Sequence, residues 1–274
     1  MVNRLNEALI TKVGEQLVQK ATDTRRTAGL FSGWDETILW SCLQGVMGEL
    51  YVDDIVSPKS AMAILGDFAF FAGIPNRELV LFKPEWCRQE YIIMVPQNAG
   101  WAEEIVYCYK EKAKKVLRYA IKKEPDVFDR KKLRLAADSL PEGFACRLID
   151  EDIYNVCKST DWARDLVSQY KDYETYSRLG LGAVILKDDE VVSGASSYSS
   201  YLGGIEIEID TKESYRRQGL AYACGARLLT ECLDRNLYPS WDAQNLYSVA
   251  LAEKLGYHYS HAYTAYEIKG YCSK

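Results

Sequence analysis

Residues 204–226 read G-I-E-I-E-I-D-T-K-E-S-Y-R-R-Q-G-L-A-Y-A-C-G-A. This run constrains the fold more than any other. Its first part alternates strictly, so Ile205, Ile207 and Ile209 face one side of a strand while Glu206 and Glu208 face the other. A turn around Gly219 follows, where glycine takes up positive φ without steric cost. Beyond it, Ala221, Cys224, Gly225, Leu228, Leu229 and Cys232 recur at helical spacing on one face. The first of these are small, so the helix start can lie close to a sheet and leave a ligand room to reach its backbone. The opening N–H groups of a helix have no partner within it and sit at the positive end of its dipole. A phosphate supplies both acceptors and charge, and Arg216 and Arg217 add positive charge at the rim. The bland alternative is an ordinary strand-to-helix turn with a surface arginine pair. The other phosphate motifs are absent: there is no G-x-x-x-x-G-K-[ST], and no G-x-G-x-x-G after a strand.

The rest of the chain indicates two α/β halves, 1–140 and 141–274, divided at Leu140-Pro141-Glu142-Gly143. In the first, Leu5, Leu9, Val13 and Leu17 mark an amphipathic helix rather than the unbroken apolar core of a signal peptide. Strands are expected at E-L-Y-V-D-D, A-I-L-G-D-F-A-F-F-A-G, L-V-L-F and Y-I-I-M-V. A helix follows from Trp101, then a strand L-R-Y-A-I-K-K and a helix over F-D-R-K-K-L-R-L-A-A-D-S-L. In the second half, F-A-C-R-L-I-D is a strand, and Asp150 or Asp152 caps the helix after it. A hairpin turns at Asp188 and Asp189, and the quoted strand and turn come next. A short strand Y-P-S-W-D-A, a helix from Asn245 and a tyrosine-rich hairpin from Tyr257 to Tyr271 complete the order.

With a net charge of -5, a broad electrostatic grip on nucleic acid is not expected, and a cationic substrate is compatible. Eight cysteines lie scattered without a C-x-x-C pair, which suits reduced, buried thiols in a cytoplasmic protein. The most apolar stretch is interrupted by Asp67 and is too short to span a bilayer, so no membrane role is expected. His258 and His261 face opposite sides of a strand, so no metal site is expected. Trp241, Tyr201 and Trp162 either wall a substrate pocket or pack the core.

Arg216-x-x-Gly219-x-Ala221 resembles the [RQ]-x-x-G-x-[GA] pyrophosphate loop of the GNAT acyltransferases, in its place between an acidic fourth strand and a crossover helix. The run from Asn245 through Ser248 to Gly256-Tyr257 is similar to that family's second signature. Over its full length, with G-D-F-A-F-F-A-G and W-D-A-Q-N, the chain further resembles the two-part acetyltransferases that include zwittermicin A resistance proteins. The resemblance implies a mixed, mostly antiparallel GNAT-type sheet flanked by helices in the C-terminal half. It also implies an N-terminal half that is a degenerate GNAT-like domain completing the acceptor site or a homodimer. An independent α/β domain is the rival reading of that half.

The implied reaction is direct acetyl transfer from acetyl-CoA to an amine of a small molecule, an aminopolyol antibiotic among the choices. The coenzyme would be held by Ile209, Asp210 and Thr211, by Arg216, Arg217, Gln218, Gly219, Leu220 and Ala221, and by Asn245 and Ser248. Asn245 equally suits a helix cap. The implied oxyanion donor is a backbone N–H between Ile209 and Thr211. Glu208 and Glu206 are candidates for the base, against the alternative of solvated residues on a polar strand face. At the position where many relatives carry a tyrosine acid this chain has Ala252, which makes Ser248 the substitute, with Tyr247 second. Two other functions stay open: an acetyl-CoA sensor without turnover, and a tandem-GNAT aminoacyl transferase.

Overall fold

The computed structural model describes residues 18–272; the helix expected over Leu5, Leu9, Val13 and Leu17 lies outside them. In chain order the elements begin β1 (Gln19–Lys20), α1 (Thr24–Ala28), α2 (Thr37–Gln44), β2 (Glu49–Val52), β3 (Ser60–Leu65), β4 (Phe68–Gly73) and α3 (Arg77–Leu81). There follow β5 (Tyr91–Pro96), α4 (Ala99–Tyr109), β6 (Ala113–Ile121), α5 (Arg130–Ala137), β7 (Phe144–Leu148), α6 (Glu151–Ser159) and α7 (Tyr173–Leu179). The last are β8 (Gly182–Lys187), β9 (Glu190–Tyr201), β10 (Gly204–Thr211), α8 (Leu220–Asp234), β11 (Tyr238–Ser240), β12 (Asp242–Ala243), α9 (Leu246–Leu255) and β13 (Tyr259–Lys269). The result is a mixed α/β fold with mostly antiparallel strands flanked by helices.

Two compact units form. The first holds residues 18–34, Glu49–Lys114 and 267–272; the second holds Asp35–Gly48 and Lys115–Tyr266. The division expected at residue 140 and this one share the run 141–266 in the second unit.

In the first unit, β1 to β4 pair antiparallel in sequence order and β4 pairs parallel with β5. The stretch expected as one strand at A-I-L-G-D-F-A-F-F-A-G is the hairpin of β3 and β4. L-V-L-F, expected as a strand, lies largely in the short helix α3, because Asn76 accepts from the N–H groups of Glu78 and Leu79 and caps it.

In the second unit the order is β11-β10-β9-β8-β7, antiparallel except for β10 with β11. The β8–β9 turn has Asp188 at φ 50° and Asp189 at φ 63°, the left-handed pair that a two-residue hairpin prefers. On one sheet face Ala183, Ile185, Val192, Ile205 and Ile207 pack against α8 and α9. On the other, Val184, Leu186 and Val191 meet Tyr154, Tyr170 and Tyr176. A Cβ on Gly225 would stand 3.0 Å from Leu255 Cδ1 and 3.1 Å from Ile209 Cδ1, so glycine is what lets α8 settle this close to β10 and α9.

Two expectations at the C-terminal end fail. Y-P-S-W-D-A is two strands, because the chain leaves β11 at Ser240 and β12 pairs instead with β6. The tyrosine-rich run is the single strand β13, with no turn between Tyr259 and Lys269.

Candidate active site

β10 runs to Thr211, but its parallel pairing with β11 covers only Gly204 to Glu206. Past Glu206 that edge has lost its ladder neighbour, because the chain beyond β11 turns to pair with β6, and Ile209, Asp210 and Thr211 lie on the stretch of β10 that β11 does not cover. Arg216 folds back on the strand end: its Nε donates to Thr211 O at 3.0 Å, and Nη2 lies 3.5 Å from Asp210 Oδ1. Burial raises the Asp210 carboxyl above its ordinary value.

Arg217 at φ 63° and Gly219 at φ 83° then reverse the chain. A Cβ at Gly219 would meet nothing within 4 Å, so the dihedral rather than crowding calls for glycine. No side chain caps α8, and its first bonds run from Tyr222 and Ala223 to Gly219 O. The N–H groups of Leu220 and Ala221 stand ahead of that ladder, at the positive end of a fifteen-residue helix.

Asn245 caps α9: its Oδ1 accepts from the N–H groups of Tyr247 and Ser248, both at 3.0 Å. The Ser248 hydroxyl has a longer bond to the same oxygen, 3.4 Å. Tyr247 is 81% exposed, whereas Ala252 is fully buried in the core shared by α8 and α9.

The two glutamates differ. Glu208 is half-buried. Glu206 is only 5% exposed, so the expectation of a solvated strand face does not hold for it. The face is covered by α2. The Thr37 hydroxyl donates to Glu206 Oε2, and the backbone N–H of Asp242 donates to Oε1 at 2.5 Å.

Further charges close round this carboxyl. Arg118 Nε donates to Asp242 Oδ1 at 2.5 Å, and the Tyr263 hydroxyl donates to Oδ2 at 2.9 Å. Lys123 reaches Asp35 O at 2.7 Å, and Glu36 is 8% exposed. Burial pushes Glu206 up to about 7; the Thr37 hydrogen bond opposes this, and the Asp242 charge adds to it. Glu36 is raised well above its ordinary value by the same causes, burial first and Asp242 next. A carboxyl poised near neutrality on the strand edge where the sheet opens can take a proton from a bound amine.

Sequence reasoning missed Glu36, Thr37, Arg118, Lys123, Asp242 and Tyr263. Only Asp242 carried a local signal, directly after the strand that leaves β10. Trp241 packs in the core beside Tyr257, and Trp162 packs beneath α6. Tyr201 bonds Ser240 Oγ at 2.8 Å and meets the Trp40 ring edge-on. His258 pairs with Glu124 at 2.6 Å, and among the described residues no group of three or more His, Cys, Asp or Glu could hold a metal ion. No helix among them is long and apolar enough to cross a membrane.

An unpaired strand edge beside an uncapped helix end leaves backbone N–H groups free to meet an anionic ligand. The model of the GNAT acetyltransferase family matches residues 28–266, and the chain belongs to that family of enzymes. An uncharacterised N-acetyltransferase of Bacillus subtilis strain 168, YdfB, is 29% identical over 241 residues, covering 84% of this chain and 89% of that protein. The crystal structure of a GCN5-related N-acetyltransferase-like protein from Streptococcus suis is 51% identical with a TM-score of 0.85, covering 90% of this chain and 98% of that one. A tandem GNAT protein from the clavulanic acid biosynthesis pathway shares the fold at 11% identity, with a TM-score of 0.53 over 92% of this chain and 98% of that one.

Proposed function

We propose that the protein is a cytoplasmic enzyme that transfers the acetyl group of acetyl-CoA to a primary amine of a small molecule. The observation that carries this reading is the buried Glu206, near neutrality, at the point where β10 and β11 part. Glu206 takes a proton from the acceptor's ammonium. The freed nitrogen attacks the thioester carbonyl, the C–N bond forms, and the C–S bond breaks to release CoA thiolate. As the C–S bond breaks the amide nitrogen sheds its second proton, and the Ser248 hydroxyl at the start of α9 relays that proton to the sulfur. The N–H groups of Leu220 and Ala221, with Arg216 and Arg217, suit the coenzyme's pyrophosphate, and the open edge of Ile209 to Thr211 suits its arm and the developing oxyanion. Gln218 lies in the same turn. The cluster of Glu36, Glu206 and Asp242 favours a cationic acceptor, and the likeness to zwittermicin A resistance acetyltransferases makes an aminopolyol the first to try. We read the N-terminal half as a degenerate GNAT-like domain, and the assembly as a homodimer.

Calorimetric titration with acetyl-CoA tests the coenzyme half of this reading. The wild type should bind, and Gly219→Trp and the Arg216→Glu/Arg217→Glu pair should each weaken binding by a factor of ten or more, about 1.4 kcal/mol. A folded wild type that binds no acetyl-CoA would sink the proposal. Ser248→Ala should lower turnover by about 10- to 100-fold with coenzyme affinity unchanged. Full turnover in that variant, with chemistry limiting the rate, would remove Ser248 from the mechanism.

A further inference from the structure

α2 is fixed against the β9–β10 hairpin by its own side chains. Ser41 Oγ donates to Ser200 O at 2.6 Å, the Leu202 N–H donates to Gln44 Oε1 at 2.6 Å, and the Trp40 ring stands edge-on to Tyr201. This places Thr37, 1% exposed, with its hydroxyl on Glu206 Oε2. A threonine in a first helical turn commonly spends its hydroxyl on nearby backbone. Here the hydroxyl goes to a residue 169 positions away.

We infer that Thr37 is the positioning residue of the proton acceptor, selecting Oε2 of Glu206 as the oxygen that receives the amine's proton. The inference rests on Glu206 being the base. A backbone N–H can only donate, so Oε1, held by Asp242 N–H, must remain the carbonyl-like oxygen in either protonation state. A hydroxyl both donates and accepts. Thr37 donates to Oε2 while Glu206 is ionised, and turns to accept once Oε2 carries the proton. The proton moves from the substrate nitrogen to Oε2 and leaves to solvent after the product does. A hydrogen bond to the ionised form is the stronger of the two, so Thr37 also keeps Glu206 from rising further.

The other groups bearing on Glu206 are Glu36 on the same segment, Lys123 after β6 and Asp242 on β12, with Arg118 of β6 and Tyr263 of β13 bonded to Asp242. Tyr201, Tyr238 and Tyr257 surround it as well. None of these supplies a hydroxyl to Oε2.

The test is an infrared pH titration of the Glu206 carboxyl band, isolated as the difference between wild type and Glu206→Gln. Thr37→Val, which keeps the shape and loses the hydroxyl, should raise the midpoint by about half a unit or more. The acid limb of kcat/KM should move with it, and Thr37→Ser should restore both. A midpoint unmoved in folded Thr37→Val, or unrestored in Thr37→Ser, overturns the inference. If Glu206→Gln keeps full turnover, the base reading fails and Thr37 with it, whatever the band does. If Glu206→Gln is inactive while the Thr37→Val midpoint stays put, only the role of Thr37 falls.

Discussion

Replacing Glu206 by glutamine should cost about 100- to 10,000-fold in turnover while acetyl-CoA binding stays at wild-type strength. The same variant should be more stable than the wild type above neutral pH. The Glu206 carboxyl rises from its ordinary 4.5 to about 7 on folding, so the folded chain holds this proton more tightly than the unfolded one. Stability from this group is therefore fully present below pH 4.5 and is lost as pH climbs through 7. Glutamine never ionises, and its amide can keep both contacts, with Thr37 as acceptor and the Asp242 N–H as donor. At pH 8 the gain should be about 3 kcal/mol, read as a higher melting temperature that disappears at pH 4. A variant that loses activity without this pH-dependent gain would mean that the carboxyl is not held as described. One that keeps its activity would remove Glu206 as the base.

The second large effect concerns Asp242. With its side chain almost wholly covered, it holds the buried Arg118 at 2.5 Å and receives the Tyr263 hydroxyl. Removing one partner of a buried pair takes from the other its nearest counter-charge, so Asp242→Asn should destabilise the fold by about 3–5 kcal/mol. Replacing both, as in Arg118→Met/Asp242→Leu, should recover part of that loss, because no charge is left unpaired. Denaturant melts of the three variants decide the matter. A single substitution as mild as the double one would show that solvent reaches the pair. Losing the Asp242 charge also removes one of the forces that raise Glu206, so the acid limb of the rate should move down in Asp242→Asn.

The sequence revealed most where a feature is local. The alternation in β10, the two aspartates in the β8–β9 turn, the asparagine cap of α9 and the glycine before α8 each depend on a few adjacent residues. All are as expected. What lay hidden is whatever distant chain supplies. Glu206 reads as a solvated residue because nothing near it in sequence signals α2, which comes from residues 37–44. L-V-L-F reads as a strand because four apolar residues show no period, and the cap that starts a helix there is the unremarkable Asn76. The W-D-A run hides a change of partner, because the departure of β12 from β11 depends on β6.

The unit that holds Glu206 is assembled from chain that is not contiguous: residues 35–48 belong to it, residues 49–114 do not, and Lys115–Tyr266 complete it. During synthesis, α2 leaves the ribosome long before the strand it covers exists. The grip on the Glu206 carboxylate is then among the last contacts available, closed across a separation of 169 residues. Contacts of such span make folding slow, because loop-closure entropy is spent before they form. A nascent chain therefore carries an uncovered α2 through most of its elongation, and acquires activity only when the C-terminal strands arrive.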